Sequence, residues 1–75
     1  MMKDKQDITS FEEKIMLLMK GGLINKEIAT VLGKSTDIIK YHLKKIYKKL
    51  GATNRVEAIN KFNETYMIDP NYKHK

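Results

Sequence analysis

Cysteine and tryptophan are both absent from this 75-residue chain. Without cysteine there is no disulfide to staple the fold and no thiolate to hold a metal, so apolar packing must do that work. Aromatic bulk is scarce, with two Phe to fill a core. Arginine is nearly missing too: of 15 basic residues only Arg55 is not a lysine. The single proline, Pro70, leaves the first 69 positions free of that helix breaker. No apolar run approaches the roughly 20 residues that span a bilayer. The opening Met1-Met2-Lys3-Asp4 leads into no apolar stretch of signal-peptide type. These absences predict a soluble, cytoplasmic protein.

What is present is enough for one small core. Apolar residues make up 41% of the chain, and its length suits a single domain with no room for a separate substrate cavity. No nucleophile stands with a base, and no glycine loop of phosphate-cradling form occurs, so the chain is not read as an enzyme and needs no cofactor. The formal charge is +6 and the isoelectric point is near 9.6. That charge is local: Lys34, Lys40, Lys44, Lys45, Lys48 and Lys49 against Asp37 give +5 between positions 34 and 49. A concentrated basic face favours a polyanionic partner, and nucleic acid first.

The apolar periodicity predicts an all-α fold of four helices. Residues 1–8 are polar and aperiodic, a flexible lead-in. Thr9 with Glu12 has the form of a capping box, Ile8 stands as a staple residue, and Phe11, Ile15 and Leu18, widened by Met16 and Met19, mark a first helix ending at Gly21-Gly22. A second helix runs from about Asn25 to Leu32, with Ile28, Val31 and Leu32 on its apolar side. Gly33-Lys34 turns the chain into a third, capped by Ser35 and closed by Gly51. There Ile39, Leu43, Ile46 and Leu50 recur at spacings of 4, 3 and 4, while Asp37, Tyr41, Lys44 and Lys48 fall opposite. Asn54 caps a fourth helix with Glu57 at the reciprocal position, and Val56, Ala58, Ile59, Phe62 and Tyr66 give it more apolar residues than one face needs. Pro70 stops that helix, and 69–75 form a flexible tail. Two short helices joined by a tight turn, the second basic outside, make a helix-turn-helix pattern.

Several segments extend that pattern. They are Thr9-x-x-Glu12-x-x-Ile15-Met16-x-Leu18-Met19 and Gly22-Leu23-x-Asn25-Lys26-Glu27-Ile28-Ala29-x-x-Leu32. Next come Ser35-x-x-x-Ile39-Lys40-x-His42-Leu43-x-x-Ile46-x-x-Lys49-Leu50-Gly51 and Asn54-Arg55-x-Glu57-Ala58. In this order and spacing the chain resembles the LuxR-type (NarL/FixJ/GerE-like) DNA-binding domain of bacterial transcription regulators, over about positions 8–68. The resemblance implies a four-helix domain over 9–68 whose third helix, 36–50, enters the major groove of double-stranded DNA. By positional match Lys40, Tyr41 and Lys44 reach base edges, and lysine chemistry suits guanine O6 and N7. Asn25, Lys26, Ser35, Thr36, Lys45, Lys48 and Lys49 are assigned to phosphates. A homodimer through the fourth helix is also implied, with Val56, Ile59, Phe62 and Asn63 as its candidate interface, and RNA polymerase is a further implied partner. Four lysine–phosphate contacts per subunit of a dimer give a log–log salt slope of about −7.

The chain departs from the family at four positions. Ile24 offers no side-chain cap where Ser or Thr is usual, and Lys34 replaces an apolar residue. Ile38 takes the place of a threonine hydroxyl, and Phe11 that of an arginine. These departures, with the apolar excess on the fourth helix, motivate an alternative: a protein-interaction module that keeps the fold without specific DNA readout. A promoter-recognising sigma-factor region shares the architecture, but Asn25-Lys26-Glu27-Ile28-Ala29 points to the LuxR type. His42, with only His74 as another histidine, is read as a structural or DNA-flanking residue and not a metal ligand. Arg55 is expected to pair with a carboxylate or cap packing, and Tyr47 to pack at the flank of the core. Any signal input is expected outside this chain.

Overall fold

Each junction between helices is made where the chain can satisfy helix ends cheaply. The structure, a computed structural model, describes residues 8–66. It contains α1 (Ser10–Lys20), α2 (Asn25–Leu32), α3 (Thr36–Leu50) and α4 (Arg55–Tyr66). The expected flexible segments before Ile8 and over 69–75, and the stop at Pro70, lie outside the described residues. Ile8 itself packs against the core, so it belongs with the folded part and not with the lead-in.

At α1 the capping box forms in full: Glu12 N–H donates to Thr9 Oγ1 at 3.1 Å and Thr9 N–H to Glu12 Oε1 at 3.0 Å. Ser35 caps α3 through Ile38 N–H at 3.2 Å. Ile24 provides no side-chain cap to α2, and Glu27 Oε1 instead accepts the Ile24 N–H at 2.9 Å. At α4 the expected reciprocal box is only half made. Asn54 Oδ1 accepts the Glu57 N–H at 2.8 Å, but the Glu57 carboxylate reaches one residue further, to the Thr53 N–H and hydroxyl at 2.7 and 2.9 Å. Between α2 and α3, Gly33 sits at φ 68, and Lys34 N–H closes back on Ala29 O at 2.9 Å. That left-handed residue sets the tight turn, and glycine adopts it without a Cβ penalty.

The core forms from Ile15, Met16, Met19, Ile28, Ala29, Ile39, Leu43, Ile46, Ala52, Ala58 and Phe62. Helix α3 packs against all three others, whereas α2 and α4 do not meet. Three expectations change here. Met16 and Met19 are fully buried while Phe11 and Leu18 are only partly so, because the unbranched Met side chains fill the centre where α1 meets its neighbours. Val31 is 59% exposed, so the apolar side of α2 is narrower than expected. Phe62 is fully buried and cannot lie on a subunit interface; with Ala58 it is the part of α4 that closes the core.

Phe62→Ala removes a large side chain from that sealed site and should destabilise the domain by about 3–5 kcal/mol. Val56→Ala, at a 68% exposed position on the same helix, should change stability by less than about 0.5 kcal/mol. Urea unfolding followed by circular dichroism checks both; equal losses would contradict this division of α4.

Candidate nucleic-acid interface

Burying Ile39, Leu43 and Ile46 turns the opposite face of α3 to solvent. Lys40, Tyr41, Lys44, Lys45 and Lys48 are all exposed there, Tyr41 at 56%. The Lys45 ammonium lies 5.3 Å from the centroid of the Tyr41 ring, a cation–π contact one helical turn along. The pair therefore presents a flat aromatic surface already carrying a positive charge. Asp37, exposed in the first turn, precedes it, and Lys48 follows in the last turn, where a cation suits the helix dipole.

The other sequence-assigned positions cluster at the two helix starts. Asn25 is half-buried and Lys26 exposed at the first turn of α2; Ser35 is exposed and Thr36 half-buried at the start of α3. Ser35 accepts a hydrogen bond from Ile38 N–H, which leaves its own O–H proton for an anion.

Lys49 requires a correction. Its ammonium donates to Glu12 Oε1 at 2.6 Å, and its side chain is 11% exposed, so it is turned into the α1–α3 seam and not toward phosphate. The reason is the burial of Glu12, 1% exposed, whose carboxylate must be paired if it is to stay charged. Burial alone would raise the Glu12 pKa. The hydrogen bond from Lys49, that from the Thr9 backbone and the Lys49 charge together outweigh it and hold the carboxyl below its usual value. Sequence reasoning saw Glu12 only as a capping residue. Its ion-pair partner is 37 residues away, beyond any local periodicity.

His42 sits beside this pair, Nδ1 3.8 Å from Glu12 Oε2 and buried without a hydrogen bond. Its ring meets Phe11 and Tyr41 edge-on, with centroids 4.9 and 5.3 Å apart. The Lys34 ammonium stands 5.8 Å from the Phe11 centroid, so two of the departures from the family pattern face one another. Among the described residues Arg55 meets no carboxylate, and it does not join the basic face. Its Nη2 donates to Met19 O at 3.1 Å and Leu23 O at 2.7 Å, closing the C-terminal end of α1. Val56 is exposed on α4, Ile59 and Asn63 are half-buried, and the buried Asn63 Oδ1 has no hydrogen bond. Among the described residues, no helix is long and apolar enough to cross a membrane.

Comparison with known proteins gives a consistent result. The family model described as "Bacterial regulatory proteins, luxR family" matches residues 6–62. The chain is 37% identical over 54 residues to the probable transcriptional regulatory protein SgaR of Hyphomicrobium methylovorum, covering 72% of this chain and 26% of that one. It is 41% identical over 61 residues to the transcriptional regulatory protein YdfI of Bacillus subtilis, covering 77% and 29% respectively. Among solved structures, the response regulator ChrA of a heme-sensing two-component system superposes with a TM-score of 0.81 at 35% identity, over 88% of this chain and 33% of that one. The chain thus spans roughly a quarter to a third of these relatives.

Two consequences of the seam are measurable. Lys49→Ala leaves the buried Glu12 carboxylate without its lysine partner, and should cost about 3 kcal/mol of stability, against less than about 0.5 for Lys48→Ala. Because the folded Glu12 pKa is depressed, its stabilisation is complete above the unfolded value of about 4.3 and is lost as pH falls through the lower folded value. Glu12→Gln should therefore flatten the loss of stability below about pH 4.3, as read by chemical unfolding across pH.

Proposed function

Because this chain belongs to the LuxR family of bacterial regulatory proteins, we propose that its DNA-binding, transcription-regulating domain works by laying α3 in the major groove. The single observation that carries this reading is the two-sidedness of α3. Its aliphatic edge is sealed in the core, and every exposed lysine of 40–48 projects from the other side around Tyr41. A major groove admits one helix, and the first turns of a recognition helix meet base edges. Lys40, Tyr41 and Lys44 read bases; Lys45 and Lys48, with Lys26, Asn25, Ser35 and Thr36, hold phosphates. The family is one of transcription regulators and not of enzymes, and its target, bacterial DNA, places the working site in the cytoplasm.

The protein binds as a dimer on two half-sites about one helical turn apart. Val56 supplies exposed apolar surface for that contact, and the half-buried Ile59 and Asn63 flank it. RNA polymerase is the further partner that transcription regulation calls for. The exposed lysines of α3 favour DNA binding over a fold-only interaction module.

With Lys49 withdrawn, Lys26, Lys45 and Lys48 give six phosphate contacts per dimer and a log–log salt slope of about −5, not −7. A fluorescence titration against salt checks this, and an affinity indifferent to salt would contradict it. In vitro selection from random duplex DNA should enrich one motif. Lys44→Ala should relax it, and Lys48→Ala should weaken binding to selected and random duplexes alike. Absence of any enriched motif would favour the interaction-module reading.

A further inference from the structure

Among the described residues five aliphatic side chains are exposed, and Ile38 differs from Leu17, Ile24, Val31 and Val56 in where it stands. It is 41% exposed in the first turn of α3, one turn ahead of Tyr41, which is itself one turn ahead of Lys45. Scattered exposed aliphatics need no explanation. An isoleucine at the edge of the basic face, one turn from the Tyr41–Lys45 pair, does, because that face attracts a polyanion. On duplex DNA the apolar group that a major groove offers is the thymine C5-methyl.

The backbone holds Ile38 ready for that contact. Its N–H is fixed by the Ser35 hydroxyl, and Ile39 beside it is fully buried, so the first turn of α3 is anchored on both sides. The β-branched side chain has few rotamers in a helix, so ordering it against a base costs little. We propose that Ile38 is a specificity-determining residue that reads a thymine methyl at the edge of the half-site, next to the base pairs met by Lys40, Tyr41 and Lys44. This rests on α3 being the recognition helix and adds to it a base preference.

The test begins with in vitro selection on the full wild-type chain, followed by replacement of each thymine of the enriched half-site by uracil, which removes only the methyl. One replacement should weaken wild-type binding about four-fold, the worth of one buried methyl. Ile38→Ala should bind the thymine and uracil duplexes equally, while Ile38→Val keeps part of the difference and Tyr41→Ala keeps all of it. Thermal unfolding verifies that each variant is folded. A motif in which no uracil replacement matters overturns the proposal and leaves α3 as the reading helix. So does a methyl effect that survives Ile38→Ala or disappears with Tyr41→Ala. If no motif is enriched, the DNA-reading assignment itself fails, and the proposal fails with it.

Discussion

Ile39, Leu43 and Ile46 have nowhere to go but the core, and the organisation of the domain follows from that constraint. Burying their edge requires apolar surface from three directions, which α1, α2 and α4 supply around α3. Once that edge is fixed, the lysines between those residues face outward, since helical periodicity leaves no third option. The hydrophobic effect thus sets the orientation of the charged face. Electrostatics then acts on a surface that packing has already aimed.

The buried Glu12–Lys49 pair acts on the same helix from its other end. A carboxylate this deep must be matched, and Lys49 meets it from the last turn of α3. Glu12 also completes the α1 capping box, so a single side chain closes one helix start and ties it to the end of another. His42, Phe11 and Lys34 continue this seam toward the turn before α3. Fixing both the start and the end of α3 against α1 gives the outward side chains a rigid base, which favours selective over merely ionic contact.

Most of the fold was legible because each boundary carries a local signal. Thr9, Ser35 and Asn54 announce helix starts, and Gly33 and Gly51 announce ends. The apolar spacing of α3 distinguished its two faces without further help. Long-range pairing was not legible. Lys49 looks like its neighbour Lys48 in the sequence, and only the depth of Glu12 separates a seam residue from a surface one. Phe62 likewise reads as surplus on α4 until the space left by the other three helices is known. Val31 erred in the opposite direction: its spacing fits the apolar side of α2, but no neighbouring helix covers it. Arg55 shows a further blind spot, because its partners are backbone carbonyls and no side-chain pattern announces them.

The central claim is that the outward face of α3, with the start of α2, is the surface that meets DNA. The most direct measurement is an NMR titration of the isotope-labelled chain with a duplex taken from selection, following backbone and side-chain signals. The account predicts that the largest shifts fall on residues 35–48 and on Asn25 and Lys26, with Glu12 and Lys49 little changed. Shifts centred on Leu17 and Val31, or confined to α4, would contradict it.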